Sequence, residues 1–156
     1  MRPRTTSALV AVALYVGAVP AQAAVIGFSA TINGAQEVPA NASPASGTGT
    51  FSFDDVTKVL SWNVVYSGLT GTENAAHFHA APIGVAGPVR IGLPLGSPKV
   101  GSAVLTPSLE AELLSGLFYV NVHTSPNFSG GEIRGQLERS VPAVPGSWGK
   151  LKALYK

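Results

Sequence analysis

From Ile26 to Asn33, Ile26, Phe28, Ala30 and Ile32 fall on one side of an extended chain and Ser29, Thr31 and Asn33 on the other. A period of two predicts a half-buried strand. Gly34 to Gly47, with Pro39, Pro44 and Asn41, predicts an extended loop. Phe51 and Phe53 then share a face in Gly49–Asp54, Asp54-Asp55 opens a turn, and Leu60, Trp62, Val64 and Tyr66 alternate with Ser61, Asn63 and Val65. That pair of runs predicts a hairpin. Further short runs follow at Asn74–Ala80, Val89–Leu93, Val100–Leu105, Leu117–Thr124 and Glu132–Glu138, the last two joined by a loop of Ser-Pro-Asn-Phe-Ser-Gly-Gly. Thr106-Pro107 has the form of an N-cap followed by proline at the first helical position, and Gly116 suits a C-terminal cap, so Ser108 to Ser115 is the one expected helix. About eight strands with one short helix predict an all-β fold, an antiparallel β-sandwich of immunoglobulin-like or superoxide-dismutase-like form.

The first 23 residues do not fit this pattern. Arg2 and Arg4 precede an apolar run from Ala8 to Val19, and Ala21-Gln22-Ala23 has the small-x-small form of a cleavage site. Residues 1–23 are therefore expected to be a signal peptide cleaved near Ala23, leaving a domain of residues 24–139 and a flexible tail of residues 140–156. The protein is expected to be secreted or periplasmic, with no stable membrane span in the mature chain, because the apolar run is shorter than the ~20 residues a spanning helix needs.

Removing Arg2 and Arg4 also removes the formal charge of +2: of ten basic residues eight remain, against eight acidic ones. The basic pI is therefore no evidence for nucleic acid, and no nucleic-acid partner is expected. There is no cysteine in the 156 residues, so burial and backbone hydrogen bonds must hold an exported domain in which disulfides would otherwise be available.

All three histidines, His77, His79 and His123, lie in the two stretches Ala75–Val89 and Leu117–Leu137. Residues two apart on a strand point the same way about 6.6 Å apart, so His77 and His79 share a face opposite to Phe78. On the other stretch Tyr119, Asn121 and His123 share a face opposite to Phe118, Val120 and Val122. Three imidazoles with an open fourth position suit copper or zinc. Cu,Zn superoxide dismutase also carries a His-x-His pair on a sandwich strand, but it uses more histidines and an aspartate. A mononuclear site is the version three histidines allow, and dismutase-like redox chemistry ranks last. The competing reading is structural: the imidazoles satisfy neighbouring polar groups, with Glu73, Asn121, Glu132 and Gln136 as partners, and Glu132, Arg134 and Gln136 on one strand face form a polar network. No serine sits in a nucleophile context, and Asp54-Asp55 belongs to a turn.

Three ordered motifs, Phe28-Ser-Ala-Thr-Ile-Asn-Gly-Ala-Gln-Glu-Val-Pro39, His77-Phe-His79 followed by Gly84 and Gly87-Pro88-Val89, and Tyr119-Val-Asn-Val-His-Thr124 with Gly131-Glu-Ile-Arg-Gly-Gln136, resemble the chordin-type (CHRD) domain. The likeness spans residues 26–138. It implies a secreted β-sandwich module, found in animal inhibitors of bone morphogenetic signalling and in microbial exported proteins, and for a microbial exported member it implies no established activity. The expected role is binding or structural, with an extracellular protein or glycan as the partner, and mononuclear copper or zinc binding as the alternative.

Overall fold

The structure, a computed structural model, describes residues 24–140. The expected signal peptide, residues 1–23, and the tail from residue 141 onward lie outside the described residues. The strands are β1 (Val25–Asn33), β2 (Ser46–Asp54), β3 (Val59–Ser67), β4 (Thr72–Ala80), β5 (Val89–Gly92), β6 (Lys99–Val104), β7 (Phe118–Ser125), β8 (Phe128–Gln136) and β9 (Glu138–Arg139). A helix, α1 (Pro107–Leu114), lies between β6 and β7, and a single 3-10 turn, Gly34–Gln36, follows β1. Thr106 caps α1 by accepting from Leu109 N–H, and Pro107 stands at its start. That is the place where the missing proline N–H costs nothing.

The strands pair antiparallel in one path, β5-β4-β7-β8-β1-β2-β3-β6, with β9 pairing β1. The all-β, antiparallel architecture with one helix is as the sequence pattern indicates. Two separately paired layers are not what the hydrogen bonding describes. Instead one sheet curls on itself, because the β8–β9 run returns along β1. Asn33 pairs with Arg134 at one end of β1, and Ser29 and Phe28 pair with Glu138 and Arg139 near the other. The curl brings Phe78 of β4 onto Phe51 of β2 and Trp62 of β3, with ring centroids 5.8 and 5.3 Å apart in edge-on geometry. Aromatic pairs of this kind add to the burial energy of the core.

The inward residues are those the alternation selects. Phe28, Ile32, Phe51, Phe53, Leu60, Trp62, Val64, Phe78, Val120, Val122 and Ile133 are all buried in one cluster. One expectation fails locally. Most of the predicted seven-residue loop after Thr124 is strand: β7 runs through Ser125 and β8 begins at Phe128, leaving Pro126-Asn127 as the turn. The register shifts between Val122 and Thr124, so simple alternation does not carry through the β7–β8 hairpin.

Candidate metal centre

β4 and β7 lie side by side, with His77 opposite Asn121 and His79 opposite Tyr119. Phe78 and Val122 go to the core, so the odd-numbered residues of both strands are turned to the other face. One ring nitrogen from each of His77, His79 and His123 lies within 4.8 Å of the others. His77 Nδ1 is 3.3 Å from His123 Nε2.

Two backbone carbonyls fix the rings. His79 Nδ1 is 2.9 Å from Gly87 O and His123 Nδ1 is 3.0 Å from Ser129 O. A carbonyl oxygen only accepts, so both Nδ1 atoms carry the proton and both Nε2 atoms present a lone pair. His79 Nε2 is buried and has no partner within the protein. This is the arrangement in which an outer carbonyl orients a metal-binding imidazole. Burial lowers the pKa of both rings. At His79 the Gly87 hydrogen bond opposes that effect, while His123, His77 and Arg134 reinforce it. At His123 the Ser129 bond opposes it and His77 reinforces it. Neutral imidazole is the ligand form.

Around the histidines is a polar stack. His79 lies nearly parallel to Tyr119, with centroids 5.1 Å apart and planes at 12°. The Arg134 guanidinium covers the Tyr119 ring at 3.5 Å. Gly87 N–H donates to the Tyr119 hydroxyl at 2.8 Å, tying the turn that orients His79 to the same ring. Arg134 donates to Val85 O at 2.9 Å, Pro82 O at 3.4 Å and Gln136 Oε1 at 3.1 Å, so it holds the β4–β5 connection over the sheet.

The expected polar residues separate into two places. Asn121, Arg134 and Gln136 are on the histidine-bearing side. Glu132 is not with them: its carboxylate accepts from Ser43 Oγ at 2.7 Å, Thr70 N at 2.7 Å, Thr70 Oγ1 at 2.8 Å and Thr124 Oγ1 at 2.6 Å. Burial acts to raise its pKa, but those hydrogen bonds outweigh it and hold the group below the usual carboxylate value. It clamps the connections before β2 and β4, and no Glu132–Arg134 ion pair forms. Glu73 likewise bonds elsewhere, pairing with the fully buried Lys99 ammonium and accepting from Tyr66 OH at 2.5 Å.

Glu37, in the loop after the 3-10 turn, is a site neighbour that strand periodicity could not reach. It is 7% exposed, and Asn121 Nδ2 donates to its Oε2 at 3.4 Å. Its only sequence signal is its place in the Gln-Glu-Val-Pro stretch.

The family model of the CHRD domain matches residues 28–137, which include every residue of this site. The chain belongs to the CHRD domain family. Comparison with curated proteins and with solved structures gives no match. The CHRD assignment supports a binding or structural module. Within this CHRD domain the histidine group is the one set of three or more metal-ligand side chains among the described residues.

Proposed function

We propose that this CHRD domain is an exported module that binds one transition-metal ion, copper or zinc, through His77, His79 and His123. The reading rests on one observation above all: three imidazole nitrogens converge within 4.8 Å. Two nitrogens bound tetrahedrally to zinc at 2.0–2.1 Å stand about 3.3 Å apart, which is the His77–His123 spacing. The carbonyls of Gly87 and Ser129 hold two of the three rings in the tautomer that a ligand set needs.

Three neutral ligands leave a fourth position for water or an anion. Second-site chemistry of the dismutase kind lacks ligands here, since Asp54 and Asp55 flank the β2–β3 turn and Glu73 and Glu132 are engaged elsewhere. Export rests on the pattern of residues 1–23, namely Arg2, Arg4, the apolar run and Ala21-Gln22-Ala23.

Calorimetric titration of untagged protein with Zn(II) and Cu(II) tests the site. One equivalent should bind, and His77→Ala and His123→Ala should each weaken binding by about 100-fold or more. Equal affinity in the wild type and both variants would overturn the proposal. N-terminal sequencing of the exported protein, expected to begin at Ala24, tests the cleavage.

A further inference from the structure

Two buried oxygen atoms beside the histidines have no hydrogen-bond partner: Glu37 Oε1 and Asn121 Oδ1. They face the same spot. A methyl group placed on Gly131 would sit 2.6 Å from each of them, so both oxygens press on a hairpin residue that lacks a side chain. Two bare acceptors brought together in a buried site repel each other, and each forfeits the hydrogen bonds it had in water. A donor between them would relieve both. A metal cation is disfavoured, because the Arg134 guanidinium already acts on Glu37 from β8.

We propose that Glu37 and Asn121 share a proton: the carboxyl of Glu37 donates from Oε1 to Asn121 Oδ1, while Asn121 Nδ2 donates back to Glu37 Oε2. The result is a neutral acid–amide pair with every polar atom satisfied. Burial independently pushes the Glu37 carboxyl up to about 7, against the opposing pulls of Arg134, the Val38 backbone and Asn121. The carboxyl therefore titrates around neutrality instead of in the usual carboxylate range.

This pair is placed to regulate ion binding. Asn121 is two residues before His123 and directly opposite His77, and Gly131 is two residues after Ser129, whose carbonyl orients His123. The charged group that acts on Glu37 is Arg134 on β8; the imidazoles of His77 and His123 are reached only through Asn121, which pairs with His77 and precedes His123 by two residues. An ion among the imidazoles adds positive charge, which favours the carboxylate, so binding expels the proton and affinity rises as pH passes through neutrality. The link to the ion rests on the three-histidine reading; the shared proton does not.

The test is a carbon-13 NMR titration of glutamate carboxyl groups in the full-length protein, with Glu37→Gln assigning the Glu37 signal. Without added metal that signal should titrate near pH 7; an ordinary midpoint of about 4 to 5 would overturn the shared proton. With saturating Zn(II) the midpoint should fall, and from pH 6 to 8 zinc affinity should rise about fivefold more in wild type than in Glu37→Gln, the effect of one unit charge across a partly screened gap. An unmoved midpoint with zinc bound would overturn the link. If calorimetry shows no zinc bound, the ion-binding reading fails while the metal-free titration still decides the pair.

Discussion

The guanidinium of Arg134 lies flat on the ring of Tyr119, its Cζ 3.5 Å from the centroid. His79 stacks on the same tyrosine. An imidazole of the proposed metal site, an aromatic ring and a cation are thereby joined in one packed unit. Removing the middle member should disturb the ligand without touching it. Tyr119→Leu is expected to weaken Zn(II) binding about tenfold, with Tyr119→Phe, which keeps the ring and loses the hydroxyl's bonds with Gly87 N–H and Gly87 O, weakened less. Zinc titrations of both variants that superimpose on wild type would show that the stack does not orient His79.

The pH dependence of stability follows from two opposing sets of groups. His79 and His123 have folded pKa values below the ordinary 6.5. The unfolded chain then takes up protons first as pH falls, so their contribution is whole above pH 6.5 and is lost as pH drops through the folded values. Glu37 runs the other way. Its pKa is about 7 when folded against 4.5 otherwise, so its contribution is whole below pH 4.5 and is lost as pH rises through 7. Wild-type stability should change little between pH 5 and 7, whereas Glu37→Gln should grow more stable over that range. Urea melts at pH 5, 6, 7 and 8 check this, and parallel curves for the two proteins would contradict it.

Lys99 is fully buried, with its ammonium on Glu73, on Pro94 O at 2.6 Å and on Gly96 O at 3.0 Å. Lys99→Met strands the partner carboxylate and should cost about 3 kcal/mol. Adding Glu73→Gln should recover most of the loss, and a denaturant double-mutant cycle measures it. A single-variant loss below about 0.5 kcal/mol would mean that the pair is not desolvated.

Gly135 sits where β8 passes β1: an added Cβ would lie 2.6 Å from Thr31 O. Gly135→Ala should destabilise the fold by about 1–3 kcal/mol by prising the strands apart. Gly130, where a Cβ meets nothing within 4 Å, is the control. Thermal melts in which both alanine variants behave alike would refute this account of the β1–β8 approach.

What the sequence made legible divides along physical lines. Phe51, Phe53, Leu60, Trp62 and Val64 could be placed inward from alternation alone, because a strand facing one core repeats every two residues. The common face of His77 and His79 follows from the same rule. The continuity of the sheet does not, since it depends on β9 returning to Phe28 and Ser29, a pairing between opposite ends of the domain. Glu132 escaped because the register shift near Val122 breaks alternation just where it was needed. Glu37 escaped for a different reason: it reaches the site from a loop, where periodicity has no meaning.

The pairing of β4 with β7 also has a consequence for the order of events during folding. His77 and His123 are separated by 46 positions along the chain, and the strands between and around them include hairpins that close locally. A contact of such long range forms only after a large loop entropy has been overcome. The triangle of imidazoles is thus absent from early, locally paired intermediates, and any ion it takes must be captured late. Ion binding at the proposed site would then report that the chain has finished folding.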